Sequence, residues 1–409
     1  MKWTVSGALR GNRPRDVVRR TTIIGVIAFL TLIDLFGSQA LLPLLVTAYN
    51  TDVATMGLAV NASAVGMAAS GLAVAYFADR IDRRKGIWLS LALLSIPTAL
   101  LGVAENVTVF MLLRVAQGVC MAAAFTLTLT YLSEECDITA ASGAMAAYIT
   151  GNVASNLFGR LLATGFAEAI SLPASFYLFA CLNLLGAIMA LVLIGAKSER
   201  MPERVGPPVE AWKKHFANPK LRSSFAIGFL ILFVFVGVFT YVNFELVGPA
   251  LGVSPALLGL VYFVFVPAMV TTPMAPKVVA RFGMRRVFWA ASLLAVLGIG
   301  LSATTSLVAV LVGLALIGVG TFGAQAATTA FVGRTAQFSH AAANGLYLTS
   351  YYVGGLVGAF ALGMVYDMAG WVAVAAITAV ALLLACVLAV VMVDAKPVAA
   401  KDQAAAPAE

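Results

Sequence analysis

Charge is scarce in this chain of 409 residues: Asp, Glu, Lys and Arg together make up 11% of it, against about 25% in an ordinary soluble protein. Apolar residues supply 61%, so bulk water cannot be the main environment. Histidine, at 2 copies, and cysteine, at 4, are also rare. No His/Cys cluster has metal-ligand spacing, and no glycine-rich loop closes on Lys-Ser or Lys-Thr to hold a phosphate. The sequence therefore predicts no metal, no cofactor, no catalysis by the chain and no ATP-driven pumping. Acids are outnumbered 18 to 26, for a net charge of +8. The cations stand in separate short segments between apolar runs, a pattern that excludes a nucleic-acid footprint and suits anionic lipid headgroups.

Long apolar runs dominate what is there. Twelve of roughly 18 to 25 residues recur, each long enough to cross a hydrocarbon core of about 30 Å as a helix. They lie near 20–47, 55–78, 86–104, 107–132, 139–166, 172–195, 223–247, 255–276, 286–303, 306–332, 341–366 and 370–393. The fold class read from this is an all-α membrane protein of twelve transmembrane helices in two six-helix halves. The first run is too long for a cleaved signal peptide and reads as a retained anchor. All Lys and Arg except Arg114 and Arg160 fall on one side of this topology. Cytoplasmic loops retain positive charge, so both termini are expected in the cytoplasm. Cys120, Cys181 and Cys386 then lie in spans and Cys136 in a cytoplasmic loop, so no disulfide framework is expected.

The longest polar interruption carries Pro202, Pro207, Pro208 and an amphipathic stretch around Trp212–Phe216, and reads as a linker on the inner surface. The expected divisions are a cytoplasmic segment at 1–19, a six-helix half at 20–195, the linker at 196–222, a second half at 223–393 and a disordered tail at 394–409. The halves resemble each other. Asp79-Arg80-Ile81-Asp82-Arg83-Arg84-Lys85 precedes Trp88, and Arg281-Phe282-Gly283-Met284-Arg285-Arg286 precedes Trp289, 201 residues later. A similar offset relates Gly143–Tyr148 to Gly345–Ser350. Equal span numbers and the same starting side make this a parallel repeat about the membrane normal.

The six-plus-six plan and the basic Asp-Arg loop between spans 2 and 3 resemble the major facilitator superfamily, in particular its twelve-span drug:proton antiporter branch. Tyr131-Leu-Ser-Glu-Glu135, Tyr148-Ile-Thr-Gly-Asn152, Gly159-Arg160 and Leu346-Tyr-Leu-Thr-Ser-Tyr-Tyr352 resemble the YnfM-type bacterial inner-membrane exporters. The loop pattern of that family, Gly-x-Leu-x-Asp-Arg-x-Gly-Arg-Arg, occurs here with Ala75 and Asp82 in place of both glycines. The resemblance implies a conformational latch at Asp79, Arg80, Arg83 and Arg84, with Arg281 and Arg285 in the second half. The alternative is that these charges only enforce topology. Arg114-Val-Ala-Gln117-Gly118 resembles the fourth-span Arg-x-x-x-Gly motif, whose arginine is associated with proton coupling in the antiporter branch. The branch's proline in span 5 is missing: Gly151-Asn152 and Gly159-Arg160 stand there without one.

Ionisable residues at depth are costly and mark pathways or partners. Asp34 lies about 13 residues, or roughly 20 Å, into the first span, and Arg114 and Arg160 lie roughly 9 Å below the outer face. All three reach a similar level, which predicts one buried cluster in which Asp34 titrates as the site opens to either side. A permanent salt bridge that only fixes packing is the bland alternative. Tyr148, Asn152, Asn156 and Arg160 recur every fourth residue and so share a helix face. With Gln117, Gln325, Tyr347 and Tyr351 they are the expected substrate contacts. Gln39, Tyr241, Asn243 and Tyr352 belong to the same polar and aromatic set, any one of which can instead be an interhelical hydrogen bond. Glu245 reads as an interfacial residue that snorkels. Gly318-x-Gly320-x-x-Gly323 spells a dinucleotide fingerprint inside an apolar span, and reads as close helix packing.

The sequence thus points to alternating access, with proton-coupled export of a small organic molecule from a bacterial inner membrane. Asp34 and Arg114 carry the coupling in this reading. The partners are substrate, protons and membrane lipids, and the unit is a monomer. Uptake or facilitated diffusion of an anionic metabolite is the alternative within transport, and a non-transporting receptor or scaffold is the alternative outside it.

Overall fold

In the computed structural model, residues 14–77, 81–135, 138–194, 208–336 and 340–392 are described. Asp79, Arg80, Cys136, the first thirteen residues, residues 195–207 at the start of the linker and the C-terminal tail lie outside that set. All elements among the described residues are helical. The first group comprises α1 (Pro14–Ala40), α2 (Leu42–Tyr49), α3 (Val53–Asn61), α4 (Ser63–Phe77), α5 (Arg83–Leu100), α6 (Val107–Glu135), α7 (Ile138–Ala169) and α8 (Leu172–Leu193). A short α9 (Pro208–Ala217) follows. The second group comprises α10 (Pro219–Val247), α11 (Pro255–Val261), α12 (Val266–Thr271), α13 (Ala275–Phe282), α14 (Met284–Ser302), α15 (Leu307–Thr335) and α16 (His340–Leu388). Ten of the described helical stretches are long and apolar enough to cross a membrane, and the last of these runs over 50 residues and turns at Gly370.

Local chemistry sets the ends. Asp52 opens α3 by accepting from Thr55 N at 2.7 Å, Asp82 opens α5 by accepting from Lys85 N at 2.8 Å, and Asn218 opens α10 by accepting from Lys220 N at 3.0 Å. The hydrogen bonds from Thr55 hold the exposed Asp52 carboxyl below its usual range. Several expected runs are broken for visible reasons. The first stops at Leu41, where Pro43 begins a new helix. The run at 255–276 carries Pro255, Pro267, Pro273 and Pro276 and becomes α11, a 3₁₀ turn over Tyr262–Phe265, α12, a second 3₁₀ turn over Thr272–Met274, and then α13. The runs at 341–366 and 370–393 are joined, with Gly370 at φ 71° supplying a turn that other residues resist.

Glycine brings the long helices together. A Cβ on Gly151 would strike Gly25 O and one on Gly159 would strike Ile33 O, so α1 and α7 pack backbone to backbone. On Gly354 it would strike Phe229 O and on Gly358 Phe233 O, which places α10 and α16 in the same relation. Gly25 with Gly228, and Gly151 with Gly354, repeat at 203 residues, so the expected repeat reaches into the packing. Gly320 of α15 sits against Ala291 O of α14, which is the packing expected of the glycine fingerprint. Between the groups, α4 runs along α16, and α7 lies against the broken α11–α13 segment. The linker helix α9 touches both: Trp212 meets Tyr76 at 6.4 Å and Phe216 meets Phe225 at 5.6 Å between ring centroids.

Gly354→Ala therefore forces α10 from α16 and should lower stability by about 1–3 kcal/mol, whereas Gly165→Ala, with nothing within 4 Å of the new Cβ, should be neutral or stabilising by up to about 1 kcal/mol. Thermal unfolding of the purified proteins in detergent compares them directly.

Candidate functional site

Asp34 is fully buried at the middle of the first group. Its Oδ2 accepts from Gln117 Nε2 at 3.0 Å and Asn183 Nδ2 at 3.2 Å, and the Thr98 hydroxyl lies 3.1 Å away. Four helices, α1, α5, α6 and α8, meet at this one oxygen. The other, Oδ1, is buried without a hydrogen-bond partner. Arg114 does not pair with Asp34 directly. Its Nη1 donates to Gln117 Oε1 at 2.7 Å, its Nε to Val60 O at 2.8 Å and its Nη2 to Ser63 Oγ at 3.2 Å. The break between α3 and α4 turns the Val60 carbonyl toward the guanidinium, which a continuous helix would have used internally.

Arg160 belongs to a second network, so the single three-charge cluster expected from depth is split in two. Its Nη2 donates to Gln39 Oε1 at 2.6 Å and its Nη1 to Phe239 O at 3.3 Å. The guanidinium lies 4.4 Å from the Tyr262 ring centre and within 6.0 Å of Phe36, Phe239 and Phe265. Aromatic faces, not a carboxylate, compensate its charge among the described residues. Gln39 passes the network on through Nε2 to Asn61 Oδ1 at 2.8 Å, and Asn61 Nδ2 reaches Thr240 Oγ1 at 3.5 Å. Asn243 Nδ2 donates to Gln39 O at 3.3 Å, and Tyr262 donates its hydroxyl to Asn243 Oδ1.

These bonds close one end of a cavity between the two groups. It holds about 50 Å³ and is walled chiefly by Phe36, Phe125, Phe235, Phe322, Tyr351 and Tyr352, with Gln39, Asn61, Ser63, Asn152 and Gln325 as its polar points. That is room for a few water molecules, whereas sites for drug-sized ligands hold about 300–1,000 Å³. Beyond it Thr349 Oγ1 donates to Ala68 O at 3.3 Å, joining α16 to α4.

Of the expected substrate contacts, Asn152, Gln325 and Tyr351 line this cavity. Asn156 and Arg160 lie behind the wall, fully buried, and Tyr148 donates to Phe125 O at 2.9 Å. Gln117 sits in the Asp34 network, and Tyr347 packs on Gly228 and lies 6.1 Å from Tyr351 between ring centroids. Of the latch residues, Arg84 donates to Leu191 O of its own group through Nε and Nη2, and Arg83 Nη1 donates to Ile81 O at 3.1 Å. Arg281 and Arg285 lie 5.3 Å over Phe282 and Trp289 respectively. Glu245 accepts from the Tyr366 hydroxyl at 3.1 Å, so its carboxyl is tied to α16. Sequence reasoning missed Asn61, Ser63, Thr98 and Asn183. Each is a lone polar residue in an apolar run, and a search for every uncompensated amide or hydroxyl at depth finds them.

A helical bundle that spans the membrane, with interior charges held in place and a cavity between two groups of helices, defines a membrane transporter. The chain belongs to the Major Facilitator Superfamily, whose model matches residues 24–248 and again 243–409. It is similar to an uncharacterized transporter of Buchnera aphidicola subsp. Schizaphis graminum (strain Sg), 21% identical over 388 residues and 94% of each chain. It is also similar to the inner membrane transport protein YnfM of Escherichia coli (strain K12), 25% identical over 353 residues, which covers 86% of this chain and 85% of that one. Among solved structures it shares the fold of the human organic anion transporter MFSD10 (TETRAN), at TM-score 0.69 and 18% identity over 92% of this chain and 100% of that one. The inward-facing, unoccupied form of a bacterial homolog of the human lysosomal transporter Spinster gives TM-score 0.70 at 16% identity, over 93% and 98% of the two chains.

Gln117→Leu removes the one side chain that bonds both Asp34 and Arg114, leaving two buried charges short of a partner. It should destabilise the protein by about 1–3 kcal/mol, read as a lower midpoint in thermal unfolding.

Proposed function

We propose that this transporter moves a small organic molecule out of a bacterial cell in exchange for protons, by alternating access of two six-span halves across the inner membrane. The twelve crossings are the ten apolar stretches, with α16 counted twice at Gly370 and α7 added. Basic loops orient both termini to the cytoplasm. The observation that carries the reading is the Asp34 site: a buried carboxyl held by neutral donors, with one oxygen open, gains and loses a proton without breaking a direct ion pair. Arg114 sits one residue away through Gln117 and reports that change to Val60 and Ser63, where α3 gives way to α4.

The second network ends at the same place. Arg160 reaches Asn61 through Gln39, so residues 60–63 stand between the coupling carboxyl and the bonds that close the cavity. In the proposed cycle, loss of the Asp34 proton to the cytoplasm draws Arg114 from the α3–α4 junction and the junction releases the closure at Gln39, Asn61 and Phe239. The cavity then widens to admit a substrate with an apolar, aromatic-compatible body, contacted by Asn152, Gln325 and Tyr351 and, once the wall parts, by Asn156 and Arg160. An inward proton gradient drives export when the proton enters as the substrate leaves.

A second reading is favoured by Arg160, a buried cation with no carboxylate partner among the described residues: it suits a substrate with a negative group, in export or in facilitated uptake. Under this reading Arg160→Gln erases any preference for anionic over neutral analogues.

Purified protein in liposomes under an imposed pH gradient, challenged with neutral and anionic organic molecules, should show substrate-dependent proton flux. Asp34→Asn should abolish that flux while leaving substrate binding measurable. Transport that continues undiminished in the variant removes Asp34 from the coupling.

A further inference from the structure

Gly57 stands one helical turn from Asn61 toward the start of α3, and Asn61 Nδ2 donates to its carbonyl at 2.9 Å. Both are buried. A Cβ on Gly57 would lie 2.8 Å from the Tyr241 hydroxyl oxygen, closer than a real side-chain carbon comes, and 3.5 Å from Tyr241 Cζ. Tyr241 belongs to α10 of the second group and is fully buried. Its tip therefore fills the space that a missing side chain leaves in the first group.

That tip is fixed in place by its own group and cannot swing aside. The hydroxyl donates to Ala359 O of α16. The ring stacks on Tyr366, with centroids 5.8 Å apart and planes at 19°, and Tyr366 donates its own hydroxyl to Glu245 at 3.1 Å. A Cβ on Gly363, one turn beyond Ala359, would strike the Tyr241 hydroxyl and would lie 3.5 Å from Ala54 Cα of α3. Two glycines, one in each group, thus flank a single phenol where α3 meets α16. Glycine weakens a helix interior, and contact with Tyr241 is the packing reason for it at both positions. Thr240 and Asn243, close by in α10, bond Asn61 and Gln39, so the phenol stands among the bonds that close the cavity.

We propose that Tyr241, seated between Gly57 and Gly363, is the outer gate of the substrate path: a phenol anchored in the second group that α3 covers in the closed form and leaves when the first group rocks away. The contact with Gly57 is steric rather than a bond, so the seal parts without leaving a buried donor or acceptor unpaired. Asn61 ties Gly57 to the α3–α4 junction, so a shift at Val60–Ser63 moves α3 on the phenol. The gate rests on the alternating access and orientation proposed above, and not on proton coupling or on any substrate.

The test places a cysteine on the cavity wall, Asn152→Cys, in the full-length protein and follows its reaction with a membrane-impermeant maleimide against the background of the native cysteines. Reagent outside intact cells reports the outer opening, and reagent on inverted membrane vesicles reports the inner one. Adding Gly57→Ala should speed the outer reaction about tenfold, the population shift that about 1.4 kcal/mol against the closed form produces, and should not speed the inner one. Tyr241→Phe should reverse the effect of Gly57→Ala, since without the hydroxyl the nearest ring atom is 3.5 Å from the new Cβ. If Gly57→Ala does not reach the membrane, Tyr241→Leu, which removes the phenol tip without adding bulk, should speed the outer reaction by itself. An unchanged outer rate, no reversal by Tyr241→Phe, or equal acceleration from both sides would each overturn the gate. Acceleration in a protein that shows no substrate-dependent proton flux would uphold the gate and refute the exchange, and flux with unchanged rates would do the opposite.

Discussion

A single carboxylate oxygen, Asp34 Oδ2, organises the interior of the first helix group. Burying a charge in a bundle surrounded by lipid is costly unless donors replace its water, and here they come from three other helices at once: Gln117 from α6, Asn183 from α8 and Thr98 from α5. The same glutamine binds Arg114, so the opposite charges are linked through an amide rather than fused in an ion pair. That spacing keeps the carboxyl chemically available while holding the helices in register.

Around this anchor the contacts are of unequal strength. Within each group, glycines let α1 meet α7 and α10 meet α16 at backbone distance, which leaves little freedom for relative motion. Among the described residues, the hydrogen bonds across the groups are Arg160 to Phe239, Asn61 to Thr240, Asn243 to Gln39 and Thr349 to Ala68, beside the packing of α4 on α16 and the aromatic faces around Arg160. Rigid groups joined by sparse polar contacts around a small cavity form a structure suited to rocking. A volume near 50 Å³ is too small for a drug-sized molecule, so in the proposed function substrate enters only after such a movement.

Much of this was legible in the sequence. Apolar runs of membrane length gave the helices, and the repeat of basic loops reappears in the glycine packing. The four-residue spacing of Tyr148, Asn152, Asn156 and Arg160 marked an interior face of α7, on which all four are buried. The three-charge cluster was misjudged because depth along a helix says nothing of direction around it: Arg114 and Arg160 share a level and serve different networks. Asn61, Ser63, Thr98 and Asn183 escaped because single polar residues carry no period, and their meaning comes only from helices distant in sequence. The broken path of α11–α13 was signalled by its prolines, but their joint effect on packing depends on the neighbours they face.

Infrared difference spectroscopy on the reconstituted protein, comparing substrate-bound and substrate-free states near neutral pH, addresses the central claim most directly. The account predicts that the carbonyl stretch of a protonated carboxyl changes on substrate binding and that this change vanishes in Asp34→Asn. A spectrum with no carboxyl change, or one that persists in the variant, would contradict it.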